Sequence, residues 1–296
     1  MEFGHKIRNK WLLDENITFI NHGSFGATPI KVLGAANRYT EELEREPLKF
    51  ILEDYFGLIR KTADKIASFF GTKEENLVFV DNATTGVNTV LRALQHQFKP
   101  GDELLTVNHV YPAVRNAMQY IADVTGAKYV EIDIPFPTGG NEQIIEIVKK
   151  SLTTKTKIAI FDHITSSTGI IFPVKELAEL CRQNGTYCLI DGAHAPGMLD
   201  LNIPDINADW YVGNLHKWLF APKGCAILWA SDYTKDLIHP LSISLEYKQG
   251  FTHEFDWTGT KNPAPFLAAS DALDFYNELG KNEIISYIHN LAVDAR

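Results

Sequence analysis

The chain has 296 residues, 45% of them hydrophobic and 22% charged, an ordinary globular composition large enough for a substantial core and a second small domain. A formal charge of −9 and the lack of a basic stripe argue against a nucleic-acid partner, because phosphate binding relies on clustered Lys and Arg. No apolar run approaches the roughly 20 residues needed to span a bilayer, and Met1 to Arg8 lacks the apolar core of a signal peptide, so no membrane partner and a cytoplasmic location are expected. The 3 cysteines, Cys181, Cys188 and Cys225, form no CxxC pair and read as core thiols rather than a disulfide framework or zinc site.

In chain order, Ile17 to Ile20 reads as a short strand leading into Asn21-His22-Gly23-Ser24-Phe25-Gly26, where two glycines mark a turn with close backbone approach. Thr28 is then expected to cap a helix that begins with Pro29 and runs to about Arg45, with Pro47 stopping it. A second helix, from about Phe50 to Phe70, carries Ile59, Ala63, Ile66 and Phe70 at helical spacing.

From there apolar strands alternate with amphipathic helices, the pattern of a mostly parallel sheet covered on both faces. Seven strands are expected: Leu77 to Val80, Glu103 to Val107, Lys128 to Ile132, Lys157 to Phe161, Tyr187 to Ile190, Trp210 to Gly213 and Cys225 to Trp229. Such sheets bind ligands outside the carboxyl ends of their strands, so the exit loops are the candidate site. The first exit, Asp81-Asn82-Ala83-Thr84, opens a helix whose free amides suit a phosphate, although Asn and Thr also cap helices for their own sake. The second carries His109 and Tyr111, the third Asp162-His163-Ile164-Thr165-Ser166, and the fourth Asp191 with His194.

The fifth exit holds Asn214, His216 and Lys217 between the strand ending at Gly213 and the run Trp218-Leu219-Phe220. A lysine buried there has its pKa lowered, and a neutral amine can form a Schiff base with a carbonyl. Taken alone, it also reads as a snorkelling side chain at a strand end. Asp191, at the end of the preceding apolar strand, favours the chemical reading: a carboxylate for a ring nitrogen and a lysine for an aldehyde are the two anchors of pyridoxal phosphate. Asp162, His163, Asp191 and His194 offer a rival metal reading, but three or four convergent ligands cannot be assembled from their spacing, and no metal is expected.

The segments Asp191-Gly192-Ala193-His194-Ala195-Pro196-Gly197 and Gly213-Asn214-Leu215-His216-Lys217-Trp218, followed by Pro222-Lys223-Gly224, resemble the class V aminotransferase superfamily. Within it the chain is most similar to the isopenicillin N epimerase-like branch, which includes lyases of cysteine conjugates. The resemblance implies the fold type I α/β architecture, a large domain over 47–250 after an N-terminal arm and helix over 1–46, and the start of a small C-terminal domain over 251–296. Relatives continue beyond this point, so the chain is expected to stop, at Arg296, short of a complete small domain and of the arginine that binds the substrate carboxylate.

The same resemblance implies that Lys217 carries pyridoxal phosphate and that Asp191 pairs with its ring nitrogen. It places Ala83, Thr84, Asn214 and His216 on the phosphate, and Tyr111 rather than His109 on the ring face. His194 is implied at the phenolic oxygen, with Thr165 or Ser166 near it, the choice between the two left open. Asn21, His22 and Gly23 face the substrate, and Thr260 reaches the phosphate of a partner subunit, which implies a homodimer. The activity implied is α-proton abstraction by Lys217 from an amino acid, followed by β-elimination from a cysteine-type conjugate. Epimerisation, with Tyr111 as a second base, and transamination are the alternatives, and a truncated homologue that binds the cofactor without turnover is the non-enzymatic one.

Overall fold

The computed structural model describes residues 3–295; Met1, Glu2 and Arg296, which figured in the reading of the termini, lie outside the described residues. Seven strands form one sheet: β1 Leu77–Val80, β2 Glu103–Val107, β3 Lys128–Ile132, β4 Thr156–Asp162, β5 Tyr187–Asp191, β6 Trp210–Asn214 and β7 Ala226–Ala230. Their spatial order is β1-β7-β6-β5-β4-β2-β3. All neighbours run parallel except β7, which is antiparallel to both β6 and β1.

Both faces of the sheet are buried, as near-continuous apolar strands require. Alternate side chains divide between two cores. Phe79, Val107, Phe161, Ile190 and Ile227 pack on one face with Ile59 and Ile66 of the Tyr55–Phe69 helix and Leu177 of the Val174–Asn184 helix. Val78, Leu104, Ile160, Leu189 and Val212 pack on the other with Val87, Val90 and Leu91 of the Ala83–Leu94 helix and Met118 of the Pro112–Thr125 helix. The Ala269–Leu279 helix adds Leu273 and Tyr276 to the first core.

Two local expectations fail. Residues 17–20 form no strand: Ile17 and Ile20 are exposed, so the apolar run has no sheet to pair with and no core to cover it. The helix after the first turn spans Ile30–Arg45 with Pro29 at its N-cap and no side-chain cap; Thr28 instead donates its hydroxyl to the Ala221 carbonyl, 3.3 Å away. The helix expected from Phe50 to Phe70 does form, in two parts: a π-helical turn over Phe50–Asp54 leading into Tyr55–Phe69.

Candidate active site

The parallel register brings the carboxyl ends of β4, β5 and β6 side by side, and β7 returns β1 to the same end of the sheet. A cavity of about 270 Å³ opens there, lined by Ala83, Thr84, Tyr111, Asp162, Ser166, Asp191, His194, Asn214, His216 and Lys217 among others. These ten residues, from five separate exit loops, thus meet in one place.

Lys217 is 8% exposed, and its Nζ is hydrogen-bonded to Nε2 of His194 at 3.0 Å. Burial lowers the pKa of the ammonium, while negative charge on Asp191, and then on Asp162 when it is ionised, acts to raise it. His194 is driven down to about 4, first by burial and then by the Lys217 charge, so its ring is neutral at pH 7. Its Nδ1 accepts the Trp218 indole N–H at 3.5 Å, and because a neutral ring accepts at one nitrogen alone, the tautomer that keeps both contacts points Nε2–H at a neutral Lys217 amine.

The backbone around Lys217 is fixed by groups outside the cavity. His22 Nε2 donates to the Lys217 carbonyl at 2.9 Å, and its ring packs on Trp218 with centroids 5.0 Å apart. Gly26, at φ +71°, lies so close that a Cβ there would fall 2.0 Å from the His216 carbonyl oxygen. Only glycine accommodates both that approach and that dihedral. The first turn of the chain therefore buttresses the lysine: of the three residues expected on the substrate side, His22 bonds the Lys217 backbone, Gly23 sits against Trp218 and His194, and Asn21 accepts from the Ser24 hydroxyl.

Asp191 closes β5 at 3% exposure, accepting from the Ala193 amide at 2.9 Å. Burial raises its pKa to about 6, against the opposing pull of that amide and of Lys217. Beside it, as its register partner on β4, stands Asp162, also 3% exposed. Sequence spacing offered Asp162 only as a metal ligand; its adjacency to Asp191 comes from strand register, which a single strand's pattern does not display.

At the other end of the cavity, Asn82 caps the Ala83–Leu94 helix, its Oδ1 accepting from the Thr85 amide at 2.9 Å. Asn214 Oδ1 takes the Ala83 amide at 2.8 Å and so pins the helix start to the end of β6. Thr84, in the first turn, keeps an amide without an intrahelical partner, at the positive end of the helix dipole. His216 donates from Nδ1 to the Cys225 carbonyl at 2.9 Å, which leaves Nε2 as its remaining ring nitrogen.

Tyr111 is 43% exposed and lines the cavity, whereas His109 turns away, bonded to the Ile134 carbonyl and the Thr168 hydroxyl. Ser166 lines the cavity; the Thr165 hydroxyl is engaged with Thr168 and the Ile170 amide. Thr260 does not line this chain's cavity, but its neighbour Lys261 pairs with Asp81 at the cavity rim, 3.8 Å away. Among the described residues no three His, Cys, Asp or Glu side chains converge as metal ligands: His163 bonds the Tyr211 hydroxyl and His194 the lysine.

Residues 27–296 match the family model described as aminotransferase class-V. The chain belongs to the class V aminotransferase family. A protein of Arabidopsis thaliana described as "Probable L-cysteine desulfhydrase, chloroplastic" is 30% identical over 89% of this chain and 59% of its own length. Isopenicillin N epimerase of Amycolatopsis lactamdurans is 28% identical over 98% of this chain and 76% of its own length. The apo cysteine desulfurase of Thermococcus onnurineus NA1 superposes with a TM-score of 0.82 at 21% identity, covering 99% of this chain and 76% of that one, which shows a shared fold. The chain spans less than two thirds of the length of the desulfhydrase relative.

The cavity of this class V chain fits pyridoxal phosphate. A buried acid for a ring nitrogen and an amine for an aldehyde stand together, an aromatic side chain lies at the wall, and a helix N-terminus offers an amide to a phosphate. Its volume lies near the lower end of the roughly 300–1,000 Å³ typical of small-molecule sites.

Proposed function

We propose that this chain is a pyridoxal-phosphate-dependent lyase that eliminates the β-substituent of a cysteine-type amino acid. The observation that carries the reading is the arrangement of Lys217 Nζ, held by His194, with buried Asp191 in the same cavity. The desulfhydrase and epimerase relatives support amino-acid chemistry at the α-carbon.

In this reading Lys217 holds the cofactor's aldehyde end, Asp191 its ring nitrogen, Tyr111 its face, and Thr84, Asn214 and His216 its phosphate end. Ala83 contributes indirectly, since its amide is committed to Asn214. When bound, the cofactor supplies an electron-accepting ring next to the substrate's α-carbon. The protein supplies the rest. Lys217 Nζ takes the α-proton, which the lowered pKa of a buried amine favours. His194, neutral and hydrogen-bonded to that nitrogen, orients it. Asp191, ionised above about pH 6, holds a ring-nitrogen proton in place. Ser166 lies at the wall where a substrate or phenolic oxygen would be contacted.

Epimerisation is the second reading, favoured by Tyr111, whose half-exposed side chain at the cavity wall could serve as a base on a second face. We further propose a cytoplasmic homodimer in which Thr260 of one chain reaches the phosphate end of the other. No described helix is long and apolar enough to cross a membrane.

The test is reconstitution with pyridoxal phosphate, borohydride reduction and mass analysis of the peptide containing Lys217, followed by assay with cysteine and its S-conjugates. Release of thiol or sulfide, abolished in Lys217→Ala, is the expected result. Loss of optical activity without release would move the assignment to epimerase. A pyridoxyl group on any other lysine, or full turnover in Lys217→Ala, would overturn the reading.

A further inference from the structure

Asp162 is left without a function by the reading above, and its surroundings are unusual. It ends β4 directly beside Asp191, lines the same cavity, and is buried, yet its Oδ1 has no hydrogen-bond partner. A carboxylate oxygen removed from both water and donors is costly, and the cost is relieved by protonation or by a nearby cation. Among the described residues lining the cavity the one lysine or arginine is Lys217, and its charge already acts on Asp191.

We propose that Asp162 stands in the site as a neutral carboxylic acid beside an ionised Asp191, and that its proton determines how readily the Lys217 amine becomes free to react. The proposal rests on the reading of Lys217 as the reactive amine. Two adjacent carboxylates both charged would repel each other and together hold Lys217 as an ammonium; one charge balances one cation and leaves the amine easier to release.

The groups acting on Asp162 can be named from each element around it. Burial and then the Asp191 charge on β5 push its pKa well above the usual carboxylate range. The amides of Tyr111 and Ser166 pull the other way, as does Lys217 beyond β6, and all three are weaker than burial and Asp191. Asp162 is thus a positioning residue that acts through Lys217, and its protonation state is its function.

Two measurements on the cofactor-free protein test this, so that neither depends on the cofactor assignment. In infrared spectra at pH 7, the wild type should show the carbonyl stretch of a protonated carboxyl, shifted by deuteration and missing from Asp162→Asn. Reductive methylation with formaldehyde and cyanoborohydride, read at the Lys217 peptide, gives the second. Asp162→Asn, also neutral, should match the wild-type rate within about twofold at pH 7 and exceed it only at higher pH, where Asp162 ionises and raises the lysine pKa.

A rate tenfold or more above wild type at pH 7 would mean that Asp162 is already charged there and would overturn the proposal, as would an absent carboxyl band. Should the variant fail to fold, a carbon NMR titration of the wild-type aspartates decides. An aspartate that titrates above pH 7 sustains the proposal, and none doing so ends it.

Discussion

The Asp191 carboxyl is a residue whose chemistry opposes the stability of the protein that carries it. Its pKa, raised by burial to about 6 from an ordinary 3.8, means that the folded chain binds this proton more tightly than the unfolded chain. The sign follows: the contribution of Asp191 is most favourable below about pH 4, declines as pH rises to about 6, and stays low above it. The loss is on the order of 3 kcal/mol for such a displacement. Cofactor-free Asp191→Asn should therefore melt higher than wild type at pH 7 and no higher at pH 4, while binding pyridoxal phosphate more weakly; thermal melts at the two pH values with a binding titration check both. A variant less stable at pH 7 would show that attraction between the Asp191 and Lys217 charges outweighs burial. At this scale the sequence displayed Lys217 and Asp191, because each sits next to an apolar run. It did not display the contact between Asp162 and Asp191, which exists only once β4 and β5 are in register.

At the scale of elements, the seven strands were legible to within a residue or so at their ends, since each is an apolar run bounded by polar or glycine-rich loops. Residues 17–20 misled for the same reason: four residues with three apolar ones read as a strand, but nothing in the run itself says whether a neighbour exists to pair with. Hydroxyl-rich loops were ambiguous in a similar way. Thr165 and Ser166 are adjacent and chemically alike, and only the turn bonded by Thr168 and Ile170 sends one inward and leaves the other on the wall. The Ala83–Leu94 helix gives a test at this scale. Asn82→Ala removes the cap on Thr85 and should cost about 1 kcal/mol of stability. It should also weaken phosphate-bearing ligands more than pyridoxal, because the freed first turn no longer presents its amides in a fixed direction. Equal weakening of both ligands would separate this helix from phosphate binding.

For the whole molecule, the proposed shared site makes a prediction no single chain can satisfy. Mixing Lys217→Ala with Thr260→Glu, each inactive as a homodimer, should restore about a quarter of wild-type activity, since half of the dimers are mixed and each has one intact site. No recovery after subunit exchange, with dimers confirmed by sedimentation, would place Thr260 outside the partner's site. The antiparallel strand β7 has a consequence for how this molecule comes into being. The helix start at Ala83 is tied to the end of the sheet occupied by Asp191 and Lys217 by Asn214 at the end of β6 and by the pairing of β1 with β7, and β7 closes at Ala230. A chain emerging from the ribosome would thus expose Lys217 before the second of these ties had formed. Such long-range closure is slow to form. Cofactor capture during synthesis therefore marks completion of the sheet, and a chain interrupted just before β7 should hold no cofactor although Asp191 and Lys217 are already present.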